Sequence, residues 1–158
     1  MEVVKARNEN VDSINQIIRE SKSYWKYSEA YLNAAMPLIL VNEAYLKDNR
    51  SFEIYEKNQI VGFFSITDNR EEKYLDNLWI DPNFIGKGFG RIAIHYVEKI
   101  MREEGWESIY VLPDPPAERF YFKMGFLDTG KRVESRVEEG PTFSLLKRGL
   151  NSTFWATI

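Results

Sequence analysis

Asp76-Asn77-Leu78-Trp79-Ile80-Asp81-Pro82-Asn83-Phe84-Ile85-Gly86-Lys87-Gly88-Phe89-Gly90-Arg91 is the stretch whose reading decides the fold. In order it is an apolar strand, a Pro-containing turn, glycines at alternate positions 86, 88 and 90, and the start of a helix. Such a turn gathers backbone N–H groups at a helix N-terminus, where unpaired donors and the helix dipole favour an anion. Glycine lets the main chain come close to that anion. Lys87 and Arg91 add positive charge, and Arg91 can hold a phosphate through two parallel hydrogen bonds. The stretch therefore reads as a phosphate cradle. A P-loop needs Lys and then Ser or Thr after its last glycine, whereas Arg91 and Ile92 follow Gly90. The even spacing of the glycines also fails the dinucleotide fingerprint G-x-G-x-x-G.

Upstream, Val3 to Arg7 reads as a short strand. Asn10 offers an N-cap to a helix reaching about Ser23, with Val11, Ile14, Ile17 and Ile18 on one face. Ser28 caps a second helix. Pro37 removes a helix hydrogen bond, so a kink or a fresh helix beginning at Pro37 and running to about Lys47 is expected. From Ser51 the period becomes two, and a three-strand meander follows: Ser51–Glu56, Gln59–Thr67 and Lys73–Ile80. Beyond the cradle, a helix with an apolar stripe from Phe89 to Met101 ends near Gly105. Glu107 to Leu112 is a buried parallel strand, Ala117 to Met124 a short helix, and Phe126–Arg132 with Thr142–Lys147 a final antiparallel pair. Glu134 to Gly140 reads as an exposed charged loop. The arrangement is α/β with a mixed sheet, without the strict alternation of a doubly wound fold.

At 158 residues, with 44% hydrophobic and 28% charged residues, the chain reads as one soluble domain over residues 1–158. No apolar run is long enough to span a membrane, and the start does not read as a signal peptide. The absence of cysteine removes thiol nucleophiles and zinc-thiolate sites and suits a cytoplasmic location. A net charge of −3 argues against nucleic acid as a partner.

Two motifs together resemble the GNAT superfamily of acetyl-CoA-dependent N-acetyltransferases. Motif A of that family, Gln/Arg-x-x-Gly-x-Gly/Ala, falls on Ile85 to Gly90 with its final two glycines matched. Motif B, Asn-x-x-Ala-x-x-x-Tyr-x-Lys-x-Gly-Phe, falls on Asp114 to Phe126. There Ala117, Tyr121, Lys123, Gly125 and Phe126 match and Asp114 replaces Asn. The motifs stand in the right order, with about 30 residues between Gly90 and Tyr121. Tyr24 to Tyr27, Asp81-Pro82 and Asp114-Pro115 resemble a bacterial-type branch of the superfamily.

The resemblance implies a GNAT-like α+β fold: a mostly antiparallel sheet flanked by helices, with a splayed parallel strand pair that admits acyl-CoA. It implies acetyl-CoA as co-substrate and no metal. The pantetheine arm would pair with Leu78, Trp79 and Ile80, and the pyrophosphate would lie on Gly86, Lys87, Gly88, Phe89, Gly90 and Arg91, with Asp114, Ala117 and Tyr121 completing the cofactor site. The Ile80 N–H is the implied oxyanion donor. Tyr121 is the implied acid: a phenol with a pKa of roughly 10 can protonate a leaving thiolate whose conjugate thiol has one of about 8.5. Many relatives carry Gln or Arg where Ile85 stands, which removes a side-chain contact to the pyrophosphate. The Glu that several relatives use as base matches Tyr74. Asp76 on the same strand is the substitute, Glu72 the reserve, and a water chain the alternative.

Tyr24, Trp25, Tyr27 and Tyr31 are candidates to line the acceptor pocket, or ordinary amphipathic core aromatics. His95 falls on the polar face of its helix and reads as a surface residue. Glu134, Glu138 and Glu139 read as a solvated loop rather than a cation trap. The apolar tail Thr153 to Ile158 suggests packing on its own domain or on a second subunit, the second alternative giving a homodimer. The implied activity is acetyl transfer to a primary amine by direct attack. A catalytically silent acyl-CoA-binding or sensing domain is the alternative.

Overall fold

A computed structural model of the chain describes residues 1–68 and 70–150. Its seven-stranded sheet has the order β1-β2-β3-β4-β5-β7-β6. The strands are β1 (Glu2–Lys5), β2 (Arg50–Glu56), β3 (Gln59–Thr67), β4 (Tyr74–Ile80), β5 (Ser108–Val111), β6 (Leu127–Glu134) and β7 (Thr142–Gly149). All neighbours run antiparallel except β4 and β5, which are parallel. The expected mixed, mostly antiparallel sheet is therefore present. Local chemistry explains the meander: Lys57 takes a left-handed φ of 56° and closes the two-residue turn between β2 and β3.

The helices are α1 (Val11–Tyr24), α2 (Glu29–Ile39), α3 (Glu43–Asp48), α4 (Phe89–Glu104) and α5 (Glu118–Lys123). Strand alternation decides how they layer. Phe63 and Phe64 are successive residues of β3, both fully buried, and they serve different cores. Phe63 packs with Ile14, Ile18 and Leu46 from α1 and α3. Phe64 packs with Ala93, Val97 and Met101 from α4 and with Tyr121 and Phe126 near α5. A face of β3 is thus covered on each side, which is why its residues read as a continuous apolar run.

Two local expectations are corrected. Pro37 does not begin a helix; it lies within the last turn of α2, which ends where Leu40 turns extended (ψ 150°). A proline near a helix end disturbs few carbonyls, so the helix tolerates it there. The next helix, α3, is capped by Asn42, whose side chain accepts the Tyr45 N–H at 2.8 Å. Asn10 stands at the α1 N-cap position but makes no capping bond; its Nδ2 donates to the buried Glu53 at 2.9 Å. Asn15 fixes the start of the α2–α3 connection by bonding both the N–H and the C=O of Val41, at 2.9 and 2.8 Å. That clamp holds α2 over the site described next. No described helix is long and apolar enough to cross a membrane. The apolar tail lies outside the described residues.

Candidate active site

The parallel pair β4–β5 touches at one register point, Tyr74 against Tyr110, with the Tyr110 N–H donating to the Lys73 C=O at 2.8 Å. Downstream, the two strands separate. The Asp81 N–H donates to the Val61 C=O at 2.8 Å, and Ile80 lies opposite Gly62. Antiparallel pairs alternate between bonded and non-bonded. The 61/81 pair is bonded, so Trp79 also bonds toward β3, whereas the N–H and C=O of Leu78 and Ile80 point the other way, into the gap beside β5. Such main-chain groups need partners, and an extended ligand can supply them as an added strand would.

The gap opens into a cavity of about 880 Å³, lined along β4 by Leu75 to Ile80 and on the other side by Val111, Leu112 and Asp114. Its far end is the glycine turn. Gly86 and Gly88 have φ of 81° and 89°, the left-handed region where a side chain is strained. Gly90 has a different reason: a Cβ there would sit 2.9 Å from Phe120 Cζ, so its absence lets α5 close on the start of α4. Gly88 caps α4, and Gly86, Gly88, Phe89, Gly90 and Arg91 line this end with Ala117 and Lys123. Main-chain donors at a helix N-terminus flanked by Arg91 and Lys123 fit a diphosphate. Lys87 is placed differently from expectation. It is exposed, its Nζ lies 5.2 Å from the Phe84 ring centre, and it does not line the cavity.

Tyr121 on α5 is 5% exposed and lines the same cavity, and no described residue hydrogen-bonds its hydroxyl. Burial, helped by the charge of Asp114, raises this phenol above its ordinary 10.0 and keeps it protonated. Asp114 itself is tied down. It accepts from Lys22 Nζ at 2.6 Å and from the Tyr27 hydroxyl at 3.1 Å, and both members of the ion pair are nearly excluded from water. The carboxylate that stands in for the motif asparagine therefore has a physical counterpart in Lys22, a link across 92 positions.

Asp76 owes its position to a β-bulge. Ser65 pairs with Asn77 and Ile66 with Leu75, so Asp76 is the extra residue on β4. Its Oδ2 accepts from the Tyr45 hydroxyl and, at 3.4 Å, from Asn77 Nδ2. Tyr45 also bonds Ser65 and Asn77, and Asn77 Oδ1 accepts from Trp79 Nε1 at 2.8 Å, which forms one polar network along β4. Burial first, then the Asp76 charge, pushes the Tyr45 phenol up, so it serves as a fixed donor. Tyr45 and Lys22 were missed by sequence reasoning; each sits in a helix at an unremarkable position. Glu72, the reserve base, is exposed, bonds Tyr74 at 3.4 Å and does not line the cavity.

Of the candidate acceptor aromatics, Trp25 and Tyr31 line the cavity. Tyr24 is 50% exposed outside it, and Tyr27 acts through its bond to Asp114. The segment from Glu134 to Gly140 is exposed at its charged residues, as expected, but its other residues turn toward the site. A Cβ on Gly140 would come within 2.8 Å of Tyr31, and Ser135, Arg136 and Val137 line the cavity while Glu134, Glu138 and Glu139 do not. His95 is exposed, as its helical position implied. Among the described residues there is no cluster of three metal-ligating side chains.

Comparison with known proteins follows the same outline. Two curated relatives are N-acetyltransferases named ycf52. The one from Porphyra purpurea is 29% identical over 96 residues, 58% of this chain and 55% of that protein. The one from Pyropia yezoensis is 28% identical over 117 residues, 73% and 60% of the two chains. The match thus spans somewhat over half the length of these relatives. Among solved structures, the PaiA N-acetyltransferase of Thermoplasma acidophilum in complex with coenzyme A has a TM-score of 0.79 at 18% identity, covering 94% of this chain and 98% of that one. A GCN5-related N-acetyltransferase of Rhodopseudomonas palustris reaches 0.80 at 20% identity, covering 94% of each chain. Residues 12–126, which include both glycine-rich turn and Tyr121, match the acetyltransferase (GNAT) family, and the chain belongs to that family.

Proposed function

We propose that the chain is an acetyl-CoA-dependent N-acetyltransferase that passes acetyl to a primary amine within a ternary complex. One observation carries this reading: a glycine turn suited to diphosphate, a strand edge with inward-facing main-chain groups, Tyr121 and Asp76 all face one cavity. The cofactor site comprises Leu78, Trp79, Ile80, Gly86, Gly88, Phe89, Gly90, Arg91, Ala117 and Tyr121. Asp114 lines the same cavity, and its charge acts on the Tyr121 phenol. Acetyl-CoA, when bound, supplies a thioester whose C–S bond breaks as the amide C–N bond forms. The Ile80 N–H offers a donor to oxygen charge developing in the gap. Asp76, aimed by Tyr45, orients the amine and takes its proton. Tyr121 holds a proton at Oη for the departing thiolate, since burial keeps that phenol neutral.

The test combines calorimetry with thiol release. Coenzyme A should bind the purified chain, and acetyl-CoA with an amine panel should release thiol. Tyr121→Phe should lower kcat by roughly a hundredfold while leaving coenzyme A affinity within about twofold. No association at millimolar coenzyme A would refute the reading. Binding without thiol release from any amine would instead favour the silent acyl-CoA-sensing domain, a reading motivated by Ile85, which brings no polar contact to the turn.

A further inference from the structure

The cavity wall away from the glycine turn is built by the end of α1, by α2, by the upstream half of β4 and by the β6–β7 loop. Its surface is mainly apolar, through Trp25, Tyr31, Leu38, Ile39, Val137 and Phe143. Two carboxylates reach this half, and they are not equivalent. Asp114 is neutralised by its buried ion pair with Lys22 at 2.6 Å and takes the Tyr27 hydroxyl on the same oxygen at 3.1 Å. Asp76 has only neutral donors, Tyr45 and Asn77, both on Oδ2, and no ion pair among the described residues, so its charge and its Oδ1 are left for a ligand. The remaining charge here is Arg136, which repels a cation.

Resting on the acetyl-transfer reading, we infer that the acceptor carries a single ammonium group on a bulky apolar body, such as an arylalkylamine, and is not a polycation. One ammonium is matched by Asp76 Oδ1. A second or third would be desolvated against aromatic and aliphatic side chains with no carboxylate to meet it. The ring of an arylalkylamine lies against those same side chains, which gain from covering it. The acidic residues Glu134, Glu138 and Glu139 do not line the cavity and so offer no direct contact to an ammonium inside it.

Two measurements on the full chain test this. Thiol release from acetyl-CoA is compared for 2-phenylethylamine, spermidine and kanamycin, and binding of each amine without acetyl-CoA is followed by saturation-transfer NMR. The expected result is a kcat/KM at least about tenfold higher for 2-phenylethylamine than for either polycation, with matching binding order. Leu38→Glu, at a residue 49% exposed on the cavity wall, adds a carboxylate and should shift the ratio several-fold toward spermidine. Spermidine or kanamycin equal to or better than 2-phenylethylamine overturns the inference and leaves acetyl transfer standing. Coenzyme A binding without thiol release from any amine overturns acetyl transfer and the inference with it.

Discussion

The ion pair between Lys22 and Asp114 makes the sharpest quantitative claim. Its side chains are 4% and 9% exposed, and it joins α1 to the loop before α5. At 2.6 Å the attraction is about 6 kcal/mol for an effective dielectric constant of about 20, and each ion forfeits several kcal/mol of hydration. The pair as a whole is therefore worth little, but half of it is costly. Lys22→Met leaves an uncompensated buried carboxylate and should destabilise by about 3–5 kcal/mol, a fall in Tm of roughly 6–20 °C. Asp114→Asn should cost less, because Lys22 Nζ keeps the faces of Tyr27 and Tyr31 at 4.7 and 5.1 Å. The double variant Lys22→Met/Asp114→Asn removes both charges and keeps an acceptor for the Tyr27 hydroxyl. It should return to within about 1 kcal/mol of the parent. Urea unfolding followed by circular dichroism, at constant m-value, reads all four stabilities. A Lys22→Met protein within about 1 kcal/mol of the parent, or a double variant as weak as the weaker single, would refute the reasoning.

Tyr45→Phe removes a donor from Asp76 and should lower kcat/KM for the amine about tenfold, with coenzyme A affinity unchanged by calorimetry. Gly88→Ala should weaken coenzyme A binding through strain of roughly 1–2 kcal/mol at φ 89°. Gly90→Ala acts by collision with Phe120, so Phe120→Leu should relieve Gly90→Ala and not Gly88→Ala, as Tm and coenzyme A titrations would show. Burial would raise the Glu98 carboxyl, but hydrogen bonds and charge from Arg148 and Arg102 outweigh it and hold the group below its ordinary 4.5. A depressed folded value means that stability is present above about pH 4.5 and is lost as pH falls through the lowered value. Glu98→Gln should therefore be less stable than the parent near neutrality, and the two should converge in strongly acidic solution, measured as Tm against pH.

Much of this architecture could be read from local chemistry. The period-two runs, the Lys57–Asn58 turn and the apolar stripe of α4 each follow from short-range rules, and so did the glycine turn. The parallel β4–β5 neighbour was implied by the unbroken apolar strand and by motif resemblance together. Element boundaries were weaker at Pro37, where a local rule expected a kink or a new helix and α2 instead runs through it to Ile39.

What the chain order by itself determined was the glycine turn at the head of α4 and the short helix that carries Tyr121, because both depend on residues close in sequence. Tertiary structure alone decided the rest. The bulge that turns out Asp76, the Tyr45 hydroxyl that holds it, and the Lys22 charge that answers Asp114 join residues tens of positions apart. Side-chain pairing across such separations is set by how layers pack, and no periodicity along the chain encodes it.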